Sequence, residues 1–474
     1  MKRWLKIFLV SAALVLAGFL TVTGWYLSRA IPIGTGYVAK YLCTSTFISQ
    51  REPDAVFEED VRPVNPLAKV MKWEVDRKGK VVTAKALWFF TSRAIYRKGC
   101  GCTLLAKTDE ASLRRQDFFA FPKAYQKPAH PADAPWPDGA QGPVDPASLG
   151  MDTEKLQQAV AAAFAEPSPD RPRRTHAVVV VYDGHLVAEH YAPGFGPGMP
   201  LPGWSMTKSI TNALVGILVK QGKLDIHTPA PVAQWQKADD PRHAITLDQL
   251  LRMSSGLQFD EVYDPLYDAT DMLYGAYDFA AFAAGKKLET KPDSKWSYSS
   301  GTANIVARIV RNAAEKTDDH YYDFIRRELF DKIGMTRALI EPDGSGTFVG
   351  SSYGAATPRD WARFGLLYLN DGVWKDERIL PEGWVKYTAT PTPGAPKGEY
   401  GAHFWLNAGA PGHPENRPWP DAPRDTIAAQ GYQGQRVIII PSKKLVLVRF
   451  GATSHRPSWD TNAFIRDVIR AVPG

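Results

Sequence analysis

The feature that most constrains this chain lies at its N-terminus, where residues 7–28 form an uncharged, mostly apolar run. A run of this length can cross a bilayer as a helix, and a helix satisfies all its backbone polar groups internally in lipid. Lys2, Arg3 and Lys6 precede the run and favour a cytoplasmic N-terminus, so the rest of the chain is predicted to be exported. The expected location is the inner membrane, with the residues after the anchor in the periplasm.

A cleaved signal peptide is the alternative interpretation of this run. Ser28 and Ala30 place small residues at the offsets of a cleavage site, and cleavage would give a secreted protein. The run ends in Trp25 and Tyr26, however, which are typical of the interfacial belt of a spanning helix. We therefore favour an uncleaved anchor.

Length and charge limit the classes to which the rest of the chain can belong. The chain has 474 residues, 44% of them hydrophobic, which is enough for a large core. We divide it into an anchor or signal segment (1–30), an accessory segment with a linker (31–143) and a main domain (144–474). The formal net charge is +7. No basic-aromatic motif of nucleic-acid recognition accompanies it, so nucleic acid is not a predicted partner, and lysines near an anionic membrane explain the charge.

The accessory segment has the least regular pattern. Residues 80–90 predict one or two strands, and residues 122–143 are rich in proline, alanine and glycine, as in a linker. The segment contains all three cysteines, and Cys43 is expected to bridge to Cys100 or Cys102 in an oxidising compartment. Three thiols are too few for a tetrahedral zinc site, and no histidine pair has ligand spacing on a helix. Neither a metal nor another cofactor is predicted.

The main domain begins and ends with strands and has helices between them. An Asp-Gly turn joins strand-like runs at 177–182 and 185–191 into a β-hairpin. Further strands are predicted at 400–407, 426–430, 436–440 and 445–450, and helices at 205–220, 247–253, 302–316, 321–333, 358–370 and 458–472. This order predicts an α+β fold with one antiparallel β-sheet built from both chain ends, flanked by helices, and a mostly helical insertion.

A hydroxyl and an amine stand one helical turn apart at the start of the 205–220 helix. Ser205 and Lys208 have the spacing that puts both side chains on one helix face, and the glycine- and proline-rich run before them predicts a loop. A serine is a weak nucleophile until a base takes its proton, and burial lowers the pKa of a lysine. The pair is therefore a candidate nucleophile and base. The alternative is a capping serine beside a solvated lysine.

Two later motifs contain candidate partners for that pair. Tyr298 stands just before the 302–316 helix, where a phenol can point into a cleft and share a proton with Lys208, although a buried core tyrosine gives the same pattern. The run QGYQGQ at 430–435 joins two strands, and its glycines let a strand approach a ligand closely, although an ordinary hairpin turn is the alternative. The candidate substrate-binding residues are Ser300, Gln430, Gly431 and Tyr432.

Four motifs in order resemble the serine β-lactamase-like superfamily, in the branch of class C β-lactamases, DD-peptidases, family VIII esterases and 6-aminohexanoate-dimer hydrolases. They are WSMTK (204–208), LLRMSSGL (250–257), WSYSSG (296–301) and GQRVIIIP (434–441). The resemblance covers the chain from about residue 144 to its end. It implies a β-lactamase/transpeptidase-like fold and an acyl-enzyme mechanism, with Ser205 as nucleophile, Lys208 as its base and Tyr298 as proton shuttle. It also implies an oxyanion hole formed by the backbone N–H of Ser205 and one near residues 431–433.

Two departures from the family pattern bear on the substrate. β-Lactamases and DD-peptidases have an amide where this chain has Ser300, and a Lys-Thr-Gly or His-x-Gly motif where it has Gln430 and Gly431. The cation of that motif helps to hold a substrate carboxylate, and Arg436 is the nearby residue that could replace it. The sequence therefore favours a small ester or amide over a β-lactam or a peptidoglycan stem. A non-catalytic binding protein on the same fold is the third hypothesis, and no oligomeric state is predicted.

Overall fold

A single helix leads from the predicted anchor into the body of the protein. The computed structural model describes residues 2–116, 130–315 and 321–473. Its first helix, α1, extends over Lys2–Phe47 and contains, from Arg3 onward, an apolar stretch long enough to cross a membrane by length and composition. Its side chains are mostly exposed up to Arg29 and mostly buried from Ala30 onward. The predicted boundary at residue 30 therefore marks a change of surroundings within one helix.

The accessory segment contains a four-stranded antiparallel sheet that packs on α1. After the short helix α2 (Pro53–Val56), its strands are β1 (Met71–Asp76), β2 (Val81–Ala86), β3 (Phe90–Arg97) and β4 (Gly101–Leu104), and a short helix, α3 (Glu110–Arg114), follows them. The prediction of strands within residues 80–90 is confirmed, but the sheet has four strands, whereas one or two were predicted. The additional strands are short, and α1 provides the surface that covers them. The linker predicted at 122–143 lies partly outside the described residues.

Covalent and ionic contacts join α1 to the rest of the chain. Cys43 in α1 forms a disulfide with Cys102 in β4, which decides between the two predicted pairings, and Cys100 is a buried free thiol. Nearby, the buried Lys40 donates to Glu341, with 2.5 Å between Nζ and Oε2. The other oxygen of Glu341 accepts from the backbone N–H of Cys102 at 2.6 Å. Since Glu341 belongs to the main domain, one buried polar cluster connects α1, the accessory sheet and the main domain.

The main domain is built on a six-stranded antiparallel sheet, as predicted. Its strands, in the order in which they lie side by side, are β12 (Trp405–Leu406), β13 (Ile427–Gly431), β14 (Gln435–Ile440), β15 (Leu445–Gly451), β5 (Thr175–Tyr182) and β6 (His185–Tyr191). The early hairpin thus pairs with the last strand through β5 and β15. The strand predicted at 400–407 is confined to β12, because the chain turns at His403, where φ is +57°.

A smaller sheet holds the chain just before Ser205. It consists of β7 (Leu201–Trp204), β9 (Gly354–Ala356) and β8 (Leu339–Ile340), in that order. The loop predicted over residues 194–203 is therefore wrong for its last three residues. Pro202 and Gly203 are poor strand formers, and β7 exists because β9, far along the chain, supplies its hydrogen-bonding partner. A separate hairpin is formed by β10 (Val373–Trp374) and β11 (Glu377–Arg378).

Helices cover both faces of the main sheet and form the insertion. They are α4 (Thr153–Phe164), α5 (Thr207–Lys220), α6 (Leu247–Leu251), α7 (Asp268–Gly275), α8 (Phe279–Ala284), α9 (Ser300–Glu315), α10 (Tyr321–Ile325), α11 (Pro358–Leu369), α12 (Trp384–Thr388) and α13 (Thr461–Ile469). α4 and α13 cover one face, and α11 covers the other. α5 packs against α9, and this contact brings two of the predicted motifs together. Residue 316, the predicted end of the helix that becomes α9, lies outside the described residues.

We expect Lys40→Met to destabilise the protein by about 3–5 kcal/mol, because it leaves the Glu341 carboxylate buried without its cation. Urea unfolding of the detergent-solubilised protein measures the change. Arg62→Met is the matched control, since Arg62 and Glu58 form an exposed ion pair whose loss should cost less than about 1 kcal/mol. Equal losses of stability in the two variants would contradict the importance of the buried pair.

Candidate active site

Ser205 lies in a tight turn between β7 and α5. β7 ends at Trp204, whose φ of +50° is in the left-handed region that bulky residues rarely adopt. α5 begins at Thr207, two residues after its predicted start. The Thr207 hydroxyl donates to the Trp204 carbonyl at 2.6 Å and accepts from the N–H of Gly354 at 2.8 Å. These bonds stabilise the turn and present Ser205 in front of the helix.

The amine of Lys208 is buried and contacts three oxygen atoms. Nζ lies 3.2 Å from Ser205 Oγ, 3.1 Å from Ser300 Oγ and 3.0 Å from the Ser351 carbonyl oxygen. Burial lowers the pKa of Lys208 to about 8, and the negative charge of Glu261 opposes part of that change. An amine with this pKa is partly neutral near neutral pH. It can therefore accept a proton from the adjacent serine.

Tyr298 stands beside this pair just before α9, at the position expected from the sequence. Burial, and after it the charge of Glu261, raises the pKa of Tyr298, whereas a side-chain hydrogen bond with Ser205 lowers it. The Lys208 Nζ lies over the Tyr298 ring, 4.7 Å from its centroid. The ring also packs against Tyr400, with 5.7 Å between centroids. The phenol can thus exchange a proton with Ser205, while its contact with the amine is through the ring face.

Glu261 is a charged residue of this site that the sequence did not indicate. Its Oε1 accepts from the Ser300 hydroxyl at 2.5 Å and from the Tyr263 hydroxyl at 2.8 Å, and its Oε2 accepts from the Ser300 N–H at 2.7 Å. The Ser300 hydroxyl also contacts Lys208, so it connects the carboxylate with the amine. Glu261 lies in the loop between α6 and α7. No motif or spacing in the sequence distinguishes it, and only the fold brings this loop to α9.

The third predicted motif lies at the end of β13, against the turn that carries the serine. A Cβ on Gly431 would stand 2.1 Å from the carbonyl oxygen of Gly203, so only glycine lets β13 approach β7 this closely. The next residue, Tyr432, lies edge-on to Trp204, with 5.6 Å between ring centroids. Both residues of the motif therefore contact residues that lie one or two positions before Ser205 in the chain.

Arg436, a cation near this motif, is engaged with the backbone through one of its nitrogens. Arg436 donates from Nη1 to the carbonyl oxygens of Gly431 at 3.2 Å and Gln435 at 2.8 Å. Burial and the nearby charge of Arg456 lower the pKa of Arg436 to about 10. Gln430 lies opposite Arg436 in the β13–β14 pair, and in the described part of the chain no hydrogen bond joins Gln430 to the nucleophile. The predicted substrate-binding residues that the fold places beside the turn are Ser300, Gly431 and Tyr432.

A protein-family model matches the part of the chain that contains this site. The model described as Beta-lactamase matches residues 156–469, a range that contains every residue of the site. The chain belongs to the β-lactamase family. The expected superfamily and its fold, antiparallel sheet with flanking helices, are thereby confirmed. Members of this family are generally serine hydrolases.

Known relatives agree with this assignment. The 6-aminohexanoate-dimer hydrolase of Paenarthrobacter ureafaciens is 24% identical over a 374-residue alignment, and the match covers 71% of this chain and 88% of the relative. A solved structure of a candidate 6-aminohexanoate-dimer hydrolase from Bacillus anthracis is 25% identical, with a TM-score of 0.51, over 60% of this chain and 74% of that one. A penicillin-binding protein homologue from Caulobacter crescentus shares the fold, with 14% identity and a TM-score of 0.52, over 70% of this chain and 99% of that one.

We expect Glu261→Gln to shift the pH dependence of ester hydrolysis to lower pH. In the wild type, kcat/KM should rise through the Lys208 pKa of about 8 and level off above it, because only the neutral amine accepts a proton. The Glu261 charge raises that pKa, so neutralising it should lower the midpoint. The pH profile of p-nitrophenyl butyrate hydrolysis measures the shift.

Glu382→Gln is the matched control, because it removes the same charge at an exposed position. Its midpoint should equal that of the wild type. A midpoint that stays unchanged in Glu261→Gln, or moves to higher pH, would show that the carboxylate does not act on the amine.

Proposed function

We propose that this protein is an exported, membrane-anchored serine hydrolase that acts through an acyl-enzyme on a small ester or amide. The observation that carries the proposal is the contact of the buried Lys208 amine with Ser205 Oγ, at 3.2 Å. Membership of the β-lactamase family supports it. So does the relative from Paenarthrobacter ureafaciens, which is named for hydrolysis of the 6-aminohexanoate dimer.

In the acylation step, neutral Lys208 takes the Ser205 proton while Oγ attacks the carbonyl carbon of the substrate. Two backbone N–H groups stabilise the oxyanion, one from Ser205 and one near residues 431–433. The close approach of Gly431 to Gly203 supports this pairing of donors, because it holds the end of β13 beside the serine turn.

Collapse of the tetrahedral intermediate needs a proton on the leaving oxygen or nitrogen. Lys208 supplies it, and the Tyr298 phenol relays it through its hydrogen bond with Ser205. While Lys208 holds the proton, the negative charge of Glu261 stabilises the ammonium form of Lys208 through the Ser300 hydroxyl. Deacylation follows the same route with water as nucleophile, and it returns the serine and the neutral amine.

The substrate class follows from the groups that surround the nucleophile. A substrate carboxylate needs a cation or strong donors to offset its desolvation. Gln430 and Gly431 supply no side-chain cation, and Nη1 of Arg436 is engaged with backbone carbonyls. Ser300 bonds to Lys208 and Glu261, so its hydroxyl serves the catalytic cluster. A neutral ester or amide suits these surroundings better than a β-lactam.

Three observations support the anchor and the export. The exposed part of α1 is apolar and long enough to span a bilayer. The basic residues before it favour a cytoplasmic N-terminus. The disulfide between Cys43 and Cys102 is typical of an oxidising compartment outside the cytoplasm.

We expect kcat/KM for p-nitrophenyl butyrate to exceed that for nitrocefin by a factor on the order of ten or more, because Gln430 and Gly431 supply no side-chain cation for the nitrocefin carboxylate. Ser205→Ala should lower kcat by a factor on the order of a thousand or more. Ser294→Ala, at an exposed serine, is the control and should be unaffected. Faster turnover of nitrocefin would reverse the substrate assignment, and butyrate hydrolysis by Ser205→Ala at the wild-type rate would reject the mechanism.

The same assay in fractionated bacterial cells tests the anchor. Butyrate hydrolysis should stay with the membrane pellet after an alkaline wash and appear in the detergent extract. Recovery of all activity in the soluble periplasmic fraction would instead indicate cleavage of the N-terminal segment.

A further inference from the structure

A cavity of about 270 Å³ lies next to the active site, between α1 and the main domain. One side is formed by the face of α1 that carries Tyr26, Ala30, Ile33 and Tyr37. Steps of three and four positions separate these residues, so they share one side of the helix. The volume is close to the lower end of the range for small-molecule pockets. No step of the proposed reaction uses this space.

The inner end of the cavity is lined by neighbours of the catalytic residues. Trp204, which directly precedes Ser205, lines it together with Tyr263 and Tyr432. The Tyr263 hydroxyl donates to Glu261 at 2.8 Å, so the same phenol belongs to the cavity wall and to the catalytic cluster. A chain that extends from a carbonyl carbon at Ser205 into the cavity would pass these three rings, of which Tyr263 and Tyr432 stack with 5.9 Å between centroids.

The outer end of the cavity lies where α1 leaves the predicted bilayer. Tyr26 is near the end of the apolar run at 7–28 and is 43% exposed, whereas Ala30 is fully buried. At 1.5 Å per residue, the helix face from Tyr26 to Tyr37 is roughly 16 Å long. The cavity therefore follows α1 from the interfacial layer of the membrane to the rings beside the nucleophile.

A second apolar surface is formed by the turn between β2 and β3. It presents Leu87, Trp88 and Phe89 to solvent, and Trp88 is 99% exposed. Leu87 and Trp88 have φ values of +49° and +67°, which glycine and asparagine adopt far more readily than bulky side chains. This turn therefore holds three large apolar side chains in water at a conformational cost, as expected of a surface that contacts lipid.

The level of this turn along α1 follows from the contacts of β3. Ser92 in β3 hydrogen-bonds to Thr35 in α1 at 2.8 Å, and further along both elements the Tyr96 ring packs on Phe47, with 5.5 Å between centroids. β3 and α1 thus run in the same direction. Trp88 in the turn lies four residues before Ser92. Four residues of a strand are as long as roughly nine residues of a helix. It therefore stands at about the level of Tyr26.

We propose that the substrate has a long acyl chain, which enters this cavity from the membrane while the turn at 87–89 rests in the interfacial layer. The chemical class is an amphiphilic ester or amide whose scissile carbonyl reaches Ser205. Acylation breaks the bond between that carbonyl and its alcohol or amine, which leaves with the relayed proton, and water then releases the fatty acid. The inference rests on the proposed hydrolase function and replaces the small ester or amide proposed there with one that carries a long acyl chain.

The test compares p-nitrophenyl laurate with p-nitrophenyl butyrate on the full-length protein in phosphatidylcholine vesicles. Wild-type kcat/KM should favour laurate by a factor on the order of ten or more, because buried methylene groups contribute to binding. Ile33→Trp fills the cavity and should lower laurate kcat/KM by roughly tenfold while butyrate changes less than about twofold. Val22→Trp, on the exposed part of α1, is the matched control and should change neither ester.

Val64→Trp fills the cavity from another wall. It replaces Ile33→Trp as the test of the cavity if Ile33→Trp misfolds and loses butyrate hydrolysis. Loss of laurate hydrolysis alone, in either variant, supports the proposal. No preference for laurate in the wild type, or undiminished laurate hydrolysis in both variants, overturns it while butyrate hydrolysis still supports the hydrolase function. If the wild type hydrolyses neither ester, the proposed function fails together with this inference.

Discussion

Burial of the Lys208 amine is the constraint on which the proposed chemistry depends. An ammonium ion is costly to remove from water, and oxygen atoms of Ser205, Ser300 and Ser351 replace its solvent here. The charge of Glu261 limits the fall of the pKa, which stays at about 8. The amine is thus poised to gain and lose a proton near neutral pH. The packing of α5 on α9 buries this amine. The fold therefore sets the pKa of the proposed base by excluding water from it.

The N-terminal helix is part of the body of the protein as well as a candidate anchor. Lys40 pairs with Glu341 inside the protein, and a disulfide lies close by. Tyr41 stacks on Trp204 with 5.6 Å between ring centroids, so α1 touches the residue directly before Ser205. Contacts of this kind fix the height of the serine turn along α1. In the proposed membrane-anchored hydrolase, the nucleophile would stand at a set distance from the membrane surface, and the cavity along α1 would lie between the two.

How much of this structure could be predicted depends on the distance over which each signal acts. Ser205 and Lys208 could be found because a single helical turn joins them, and the β5–β6 hairpin because an Asp-Gly turn fixes it. Glu261 could not, since an isolated carboxylate in a loop has no spacing to its partners on α9. The strand β7 was missed for the same reason, because Pro202 and Gly203 form a strand only beside β9. The accessory sheet depends likewise on its cover by α1.

The most direct test of the mechanism is the intact mass of the protein after reaction with a fluorophosphonate, followed by peptide mapping. We expect one probe per chain, attached to Ser205. At a pH of about 8, labelling should slow by a factor on the order of a hundred or more in Lys208→Met. Lys220→Met, at the exposed far end of α5, should label at the wild-type rate. A probe on another residue, or an unchanged rate in Lys208→Met, would contradict the assignment of nucleophile and base.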